Sequence, residues 1–380
     1  MAGEPAFTPG GAVDVAASLT LAHLPGVGAV GYARLTGTFG SAADVLGAGV
    51  RRLREEATVA EPLARAIAAA RLDGQARRYL AWAERAGVRI LPLEDAAYPR
   101  LLKEIADPPP ILYVKGDGLA AAGRAVAVVG SRWITPYGRR VTASLARAFA
   151  QAGITVVSGM ALGVDGQAHR SALEAGGNTV AVLGVGLDRP YPPEHGKLFA
   201  QIAEQGAVVS EFPPGTRPLG AHFPRRNRVI SGLSLGVVVV EARKGSGSLI
   251  TARLANDQGR EVFAVPGDVH QPGSAGTHAL IREGARLITG AGDVIEELLP
   301  QLVVRAPADT GAAWGIPEDL PDAERRILGE LGSVPVAADV LVDRIGTPAP
   351  EVLNTLLEME LKGLVEKQPG NRYIRLLPDR

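Results

Sequence analysis

The chain has 380 residues, 46% of them hydrophobic, which is enough for two or three domains and a large core. Its 40 basic and 40 acidic residues give no global attraction to a polyanion, so any hold on nucleic acid must come from local patches. It has no cysteine, which excludes disulfides, thiol catalysis and cysteine-ligated zinc and fits a reducing cytoplasm. No apolar run approaches the roughly 20 residues of a membrane span, and the opening MAGEPAFTPGG has neither a basic nor an apolar targeting region, so a soluble cytoplasmic protein is expected.

Residues 14–102 are rich in Ala, Leu and Arg at helical spacing, with breaks at Pro25-Gly26-Val27-Gly28 and near Phe39-Gly40-Ser41. They predict a small helical domain over 1–107. Gly26, Gly28 and Gly31 fit G-x-G-x-x-G, but no strand precedes them, so the setting that gives such glycines a pyrophosphate role is missing. Leu24 to Gly28 instead resembles a helix-hairpin-helix turn. From residue 10 to 50 the only basic side chain besides His23 is Arg34, which favours a structural or partner-binding turn over a phosphate site.

Asp107-Pro108-Pro109-Pro110 ends the helical region, because consecutive prolines cannot continue a helix. Strands are then predicted at 125–129, 154–157, 179–183, 208–210, 235–240, 262–265 and 286–288. Helices lie between them, among them 138–151, 166–175 and 249–258. This alternation argues for an α/β fold with a doubly wound parallel sheet over 108–300. A Pro/Ala/Gly stretch reads as a linker over 301–316. Over 317–380, helices at 322–331, 337–345 and 348–362 and a β-hairpin turning at Pro369-Gly370-Asn371 make the winged-helix pattern.

Two loops carry the chemistry. Val128-Val129-Gly130-Ser131-Arg132 is a strand ending in a small turn with an arginine, and Lys244-Gly245-Ser246-Gly247-Ser248 leads from the 235–240 strand into a helix. In open α/β sheets ligands bind beyond the carboxyl ends of the strands, and both loops sit at such ends. A Gly/Ser loop at a helix N-terminus points backbone N–H groups and the positive end of the helix dipole at an anion. Arg225, Arg226 and Arg228 add local positive charge and are expected to face solvent. The residues alone therefore describe an anion-binding α/β domain for a multi-phosphate ligand.

Other chemistries find less support. The first turn lacks G-x-G-x-x-G and Ser158-Gly159 stands where a ribose-binding acid would, so a dinucleotide fits poorly. There is no Walker A loop, H-E-x-x-H or G-x-S-x-G. His169 reads as a satisfied core or surface residue. Asp165 and Glu241 are candidate acids or bases, with routine readings as helix caps or arginine partners. The third winged helix carries Glu351, Glu358 and Glu360 against Lys362, a balance that repels phosphates and disfavours a sequence-specific duplex reader. Wing contacts through Lys367, Arg372 and Arg375, or protein contacts, suit it better.

Several long motifs, in order, resemble the bacterial DNA-processing protein A family, also called Smf. They are Val129-Gly130-Ser131-Arg132, residues 158–165 (SGMALGVD), 191–195 (YPPEH), 223–232 (FPRRNRVISG), 245–252 (GSGSLITA) and Val265-Pro266-Gly267. The likeness is strong over about 108–298 and looser at both ends. It implies an extended Rossmann-like domain between a small helical domain, SAM-like or helix-hairpin-helix-like, and a C-terminal winged helix. It further implies a non-enzymatic homodimer, with no cofactor or metal, that binds and protects single-stranded DNA during natural transformation and loads the RecA recombinase onto it. Carried over by motif, the DNA-binding positions are Gly130, Ser131, Arg132, Arg225, Arg226, Asn227, Arg228, Lys244, Gly245, Ser246, Gly247 and Ser248, with Phe223 as a stacking face. Leu162 departs from the basic residue many members carry there, and His278 from an asparagine. The competing reading is a Rossmann hydrolase of nucleoside monophosphates, although such sites place a glutamate just after the Gly/Ser loop, where this chain has Leu249-Ile250-Thr251. A transcription regulator acting through the winged helix is the other.

Overall fold

The computed structural model describes residues 14–71, 74–304, 320–331, 336–362, 364–368 and 370–375. The chain divides between Ala306 and Pro307 into two compact units.

The first unit begins with helices α1 (Val15–His23), α2 (Gly28–Phe39), α3 (Ala42–Gly47), α4 (Val50–Ala57), α5 (Glu61–Ala69) and α6 (Gly74–Ala86). Short polar side chains start two of them: the Asp14 carboxylate accepts the Ala17 N–H at 3.0 Å and the Ser41 hydroxyl accepts that of Asp44 at 3.1 Å. Between α1 and α2, Gly26 and Gly28 adopt φ of +91° and +59°. These glycines serve a turn between helices, with no strand before them, as the sequence indicates.

A sheet follows, made of β1 (Arg89–Pro92), β2 (Ile111–Lys115), β3 (Ala125–Val129), β4 (Thr155–Ser158), β5 (Thr179–Leu183), β6 (Ala207–Ser210), β7 (Gly236–Val239), β8 (Glu261–Ala264) and β9 (Arg286–Leu287). Its spatial order is β1-β2-β6-β5-β4-β3-β7-β8-β9. β3 to β9 pair in parallel, and β1 and β2 add an antiparallel edge. The helices are α7 (Arg100–Lys103) in the β1–β2 connection, α8 (Pro136–Gln151), α9 (Val164–Glu174), α10 (Gly196–Gln205), α11 (His222–Gly232), α12 (Gly247–Asp257), α13 (Ala275–Arg282) and α14 (Ala291–Val304). The expected doubly wound sheet is thus present, within a residue or two of the predicted strands. β1 and β2 are additions: β1 lies inside the stretch read as helical, and four residues ending in proline leave no strand period to recognise. α14 extends to Val304, into the stretch read as a linker from 301; residues 305–316 of that stretch lie outside the described residues.

Both faces of the sheet are covered. Ala127, Val129, Val237 and Val239 point into a core shared with the N-terminal helices, while Val126, Val128, Val238 and Val240 alternate into the core on the other face with Phe149 and Phe263. Successive strands run outward from β3 to β6 on one side and from β7 to β9 on the other. β3 and β7 are neighbours, with Val129 opposite Val239, so their loops leave toward opposite faces of the sheet. That is the topological switch point, where a crevice must open.

The second unit has α15 (Asp322–Glu330), β10 (Val336–Ala337), α16 (Ala338–Ile345), α17 (Ala349–Leu361), β11 (Val365–Gln368) and β12 (Arg372–Arg375), with strands in the order β10-β12-β11. Ile327, Leu341, Leu356, Met359 and Tyr373 form its core. This is the expected winged helix. Lys362, just past α17, donates to the buried Glu324 at 2.5 Å and adds little free positive charge to the third helix.

Candidate functional site

At the switch point lies a crevice of about 560 Å³. One wall is the turn after β3. A Cβ on Gly130 would stand 2.7 Å from Val164 Cγ2 and 3.0 Å from the Glu241 carbonyl oxygen, so only glycine lets this backbone pack so closely. Ser131 Oγ accepts from the Trp133 N–H and donates to the Trp133 carbonyl, both at 3.0 Å, which closes the turn. Arg132 and Trp133 project from it into solvent.

The opposite wall is the loop after β7. Gly245 has a φ of +76°, which favours glycine, and Ser246 caps α12, its Oγ 2.8 Å from that of Ser248. The amino end of α12 therefore opens on the crevice, and the positive end of its dipole favours an anion there. Lys244 stands exposed on the rim beside Arg243, a cation that sequence reasoning missed because it precedes the Gly/Ser motif.

The floor is α11. Arg226 is buried there and donates from Nη1 to the carbonyl oxygens of Gly159, at 2.6 Å, and Val182, at the ends of the neighbouring strands. A Cβ on Gly159 would come within 2.7 Å of both Arg226 Nη2 and Asp165 Oδ2. Glycine at 159 therefore leaves room for these two charged groups. Burial pushes the Arg226 guanidinium down to about 10 and raises the Asp165 carboxyl, desolvation outweighing the attraction between them. Arg226 still carries its charge at neutral pH. Asn227, also on the floor, donates to the Gly247 carbonyl at 3.3 Å and ties α11 to the loop that opens α12.

Gly130, Ser131, Arg132, Phe223, Arg226, Asn227 and Lys244 to Ser248 thus converge on one crevice, as two sequence motifs more than 100 residues apart suggested. The arginine cluster requires a correction. Of Arg225, Arg226 and Arg228, expected to face solvent, only Arg225 does. Arg228 is 5% exposed and bonds the Glu211 carboxylate at 2.5 Å and the Asp107 carbonyl at 2.7 Å. Neither Arg225 nor Arg228 lines the crevice. Arg225 turns to Glu211, at 3.0 Å, and over the Phe212 ring. Arg225 and Arg228, three residues apart on one face of α11, both reach Glu211, whereas Arg226, about 100° round the helix from Arg225, turns to the crevice floor.

Phe223 is half-buried, with the Arg132 guanidinium 5.6 Å from its ring centroid and the Tyr191 ring also at 5.6 Å. His169 is fully buried, as a core residue; its Nδ1 lies 2.7 Å from Thr179 Oγ1, but its Nε2 is buried with no hydrogen-bond partner, so it is not the fully satisfied residue expected. Glu241 is buried and accepts the Thr135 N–H at 3.0 Å and its hydroxyl, so it supports the start of α8.

Comparison with known proteins agrees with this geometry. Residues 89–299 match the family of DNA recombination-mediator protein A, and residues 312–371 match the DprA winged helix domain. The chain is 42% identical over 307 residues to Protein Smf of Escherichia coli (strain K12), covering 78% of this chain and 80% of that one. It is 44% identical over 203 residues to DNA processing protein DprA of Streptococcus pneumoniae, covering 53% and 72% of the respective chains. The X-ray structure of the S. pneumoniae protein superposes with a TM-score of 0.55 at 35% identity, over 70% of this chain and 95% of that one. DNA processing protein A of Helicobacter pylori, whose single-stranded DNA binding mode has been described structurally, superposes with a TM-score of 0.51 at 34% identity, over 56% and 96%. The chain therefore belongs to the DNA processing protein A family, the recombination mediators also called DprA or Smf.

Proposed function

We propose that this protein binds single-stranded DNA without sequence preference, protects it and delivers it to the RecA recombinase, acting as a cytoplasmic homodimer. One observation carries the DNA reading: two glycine turns, a helix N-terminus and exposed Arg132, Arg243 and Lys244 converge on one crevice in a member of this family. Such a groove contacts backbone phosphates, which every sequence presents, and a flexible strand can follow it where a stiff duplex cannot. The H. pylori relative's single-stranded DNA binding supports the same choice. RecA delivery and the homodimer rest on family membership. Dimerisation would place two such crevices on one particle and raise the avidity for long strands.

A binder fits the site better than a hydrolase of nucleoside monophosphates. Asp165 is buried against Arg226 and Glu241 is engaged with Thr135, while Leu249-Ile250-Thr251 follows the Gly/Ser loop. Titration with single-stranded DNA, duplex and a nucleoside monophosphate at several salt concentrations tests the choice. Single strands should bind best, with log K falling by about 0.7 per phosphate contact for each tenfold rise in salt. Salt-independent affinity, duplex preference or turnover of the monophosphate would overturn it.

A further inference from the structure

Arg132 and Trp133 form a ridge with a basin on each side. The crevice described above lies on one side; on the other is a second basin of about 330 Å³, lined by Arg132, Trp133, Arg139, Leu162, Arg170 and His195. Three guanidinium groups, from the β3 turn, α8 and α9, border this small volume. Among the described residues that line it there is no carboxylate. Glu174, one helical turn beyond Arg170, pairs with Arg147 at 3.1 Å. Burial first, and then repulsion from Arg139, lower the affinity of half-buried Arg170 for its proton, partly offset by Glu174. Cations gathered round a basin with no carboxylate in its lining favour an anion between them.

The ridge has chemistry of its own. Trp133 is 83% exposed, the most exposed large apolar side chain among the described residues, and both its backbone polar groups are held by Ser131 Oγ. Phe223, by contrast, already has Arg132 and Tyr191 against its ring. An indole fixed at its backbone and bare to solvent between two basic basins suits an unpaired base.

The geometry points to a strand path that crosses this ridge, with a base stacked on Trp133 and the next backbone phosphate held by Arg139 and Arg170 in the second basin. This rests on the single-stranded DNA reading and adds a second subsite to it. Leu162, 42% exposed, lines the basin and adds apolar surface for a base or sugar.

The test uses the full chain and oligothymidylates of graded length, followed by fluorescence anisotropy. Compared are the wild type, Trp133→Ala, Arg139→Glu, and Arg139→Glu combined with Arg170→Gln; circular dichroism checks folding. Arg139 is exposed, so the single variant keeps the test valid should the double variant misfold. For strands long enough to cross the ridge, Trp133→Ala should lose about tenfold or more in affinity. Arg139→Glu should also weaken binding and reduce the salt slope by about 0.7. On oligomers short enough for the first crevice alone, the Arg139 and Arg170 variants should match the wild type, since neither residue lines that crevice. Equal affinity of variants and wild type for long strands, or equal losses of the arginine variants on short and long ones, overturns the path while leaving the DNA reading intact. Failure of the wild type to bind any oligomer overturns both.

Discussion

Arg228 and Glu211 meet at 2.5 Å with both side chains almost wholly withdrawn from water, 6% and 2% exposed. The Asp107 carbonyl and carboxylate complete the guanidinium's partners, at 2.7 and 3.2 Å. The pair joins α11 to the end of β6 and to the segment before β2. Removing one member strands the other charge in the interior, a loss of about 3–5 kcal/mol in comparable pairs. Arg228→Ala should therefore lower the urea midpoint sharply. Arg225 bonds the same carboxylate, but its side chain is 55% exposed, so Arg225→Ala should cost about 1 kcal/mol or less. Equal stability of the two variants would refute the structural role assigned to Arg228.

Lys244 and Arg243 are exposed and line the crevice, so their removal should spare the fold and weaken the ligand. For Arg243→Ala with Lys244→Ala, the logarithmic salt slope on single-stranded DNA should shrink by about 1.4, or about 0.7 per contact. The weakening should be uniform across unrelated sequences, since phosphates carry none of the sequence information. A variant with wild-type affinity and an unchanged slope places the strand elsewhere.

Gly163→Ala tests the support of the β3 turn. Gly163 has a φ of +81°, and a Cβ there would lie 2.2 Å from the Ser131 carbonyl oxygen and 2.6 Å from that of Arg132. Backbone cannot yield as a side-chain tip can, so the turn must shift and take Arg132 and Trp133 with it. Both stability and DNA affinity should fall, the first by about 1–3 kcal/mol. Gly123→Ala, with nothing within 4 Å of the added carbon and an ordinary φ, is the matched control.

Burial pushes the His169 imidazole down to about 3, against about 6.5 in an unfolded chain. Between those values the unfolded state binds the proton and the folded state does not. Acidification through that window therefore favours unfolding, and the contribution rises again with pH until it is complete above about 6.5. The slope is at most about 1.4 kcal/mol per pH unit from this residue. His169→Gln should flatten the stability profile between about pH 4 and 6. The difference between variant and wild-type denaturation curves measures this, and parallel profiles would show that His169 is not the acid-sensitive group.

The winged helix should be dispensable for single-strand binding. Its α17 exposes Glu351 and Glu358, and Lys362 is committed to Glu324. A chain ending at Ala306 keeps the whole crevice, and its affinity for single strands should stay within about threefold of the full protein, the repelling carboxylates having contributed little. Selection of duplexes from a random pool should return no motif. A defined motif that disappears with the truncation would favour the regulator reading.

The strands most legible in the sequence were those with uninterrupted apolar runs, Ala125–Val129 and Thr179–Leu183, whose bounds match the expectation. The crevice loops were legible because glycine, serine and a cation beside a strand end have few other uses. β1 was hidden because Arg89-Ile90-Leu91-Pro92 is too short to show a period. The burial of Arg226 was hidden for another reason: charge composition says nothing about facing. Arg226 lies three and four residues before Val229 and Ile230, the spacing of one helical face, so a helical reading of 222–232 would have turned it inward. Nothing in the sequence marks Trp133, because exposure of an aromatic is a property of the fold.

The antiparallel edge of the sheet sets how far this protein can be trimmed. β1 supplies the outer partner of β2, from Arg89 opposite Val114 to Pro92 opposite Ile111, and Asp107 holds Arg228. A fragment begun at Pro108 would leave β2 with an unpaired edge, bare the apolar residues that the amino-terminal helices cover, and cut one support of a buried arginine. Such a fragment should aggregate or fold poorly. The shortest self-sufficient DNA-binding piece should therefore start upstream of Arg89 and keep the helices whose core the sheet shares.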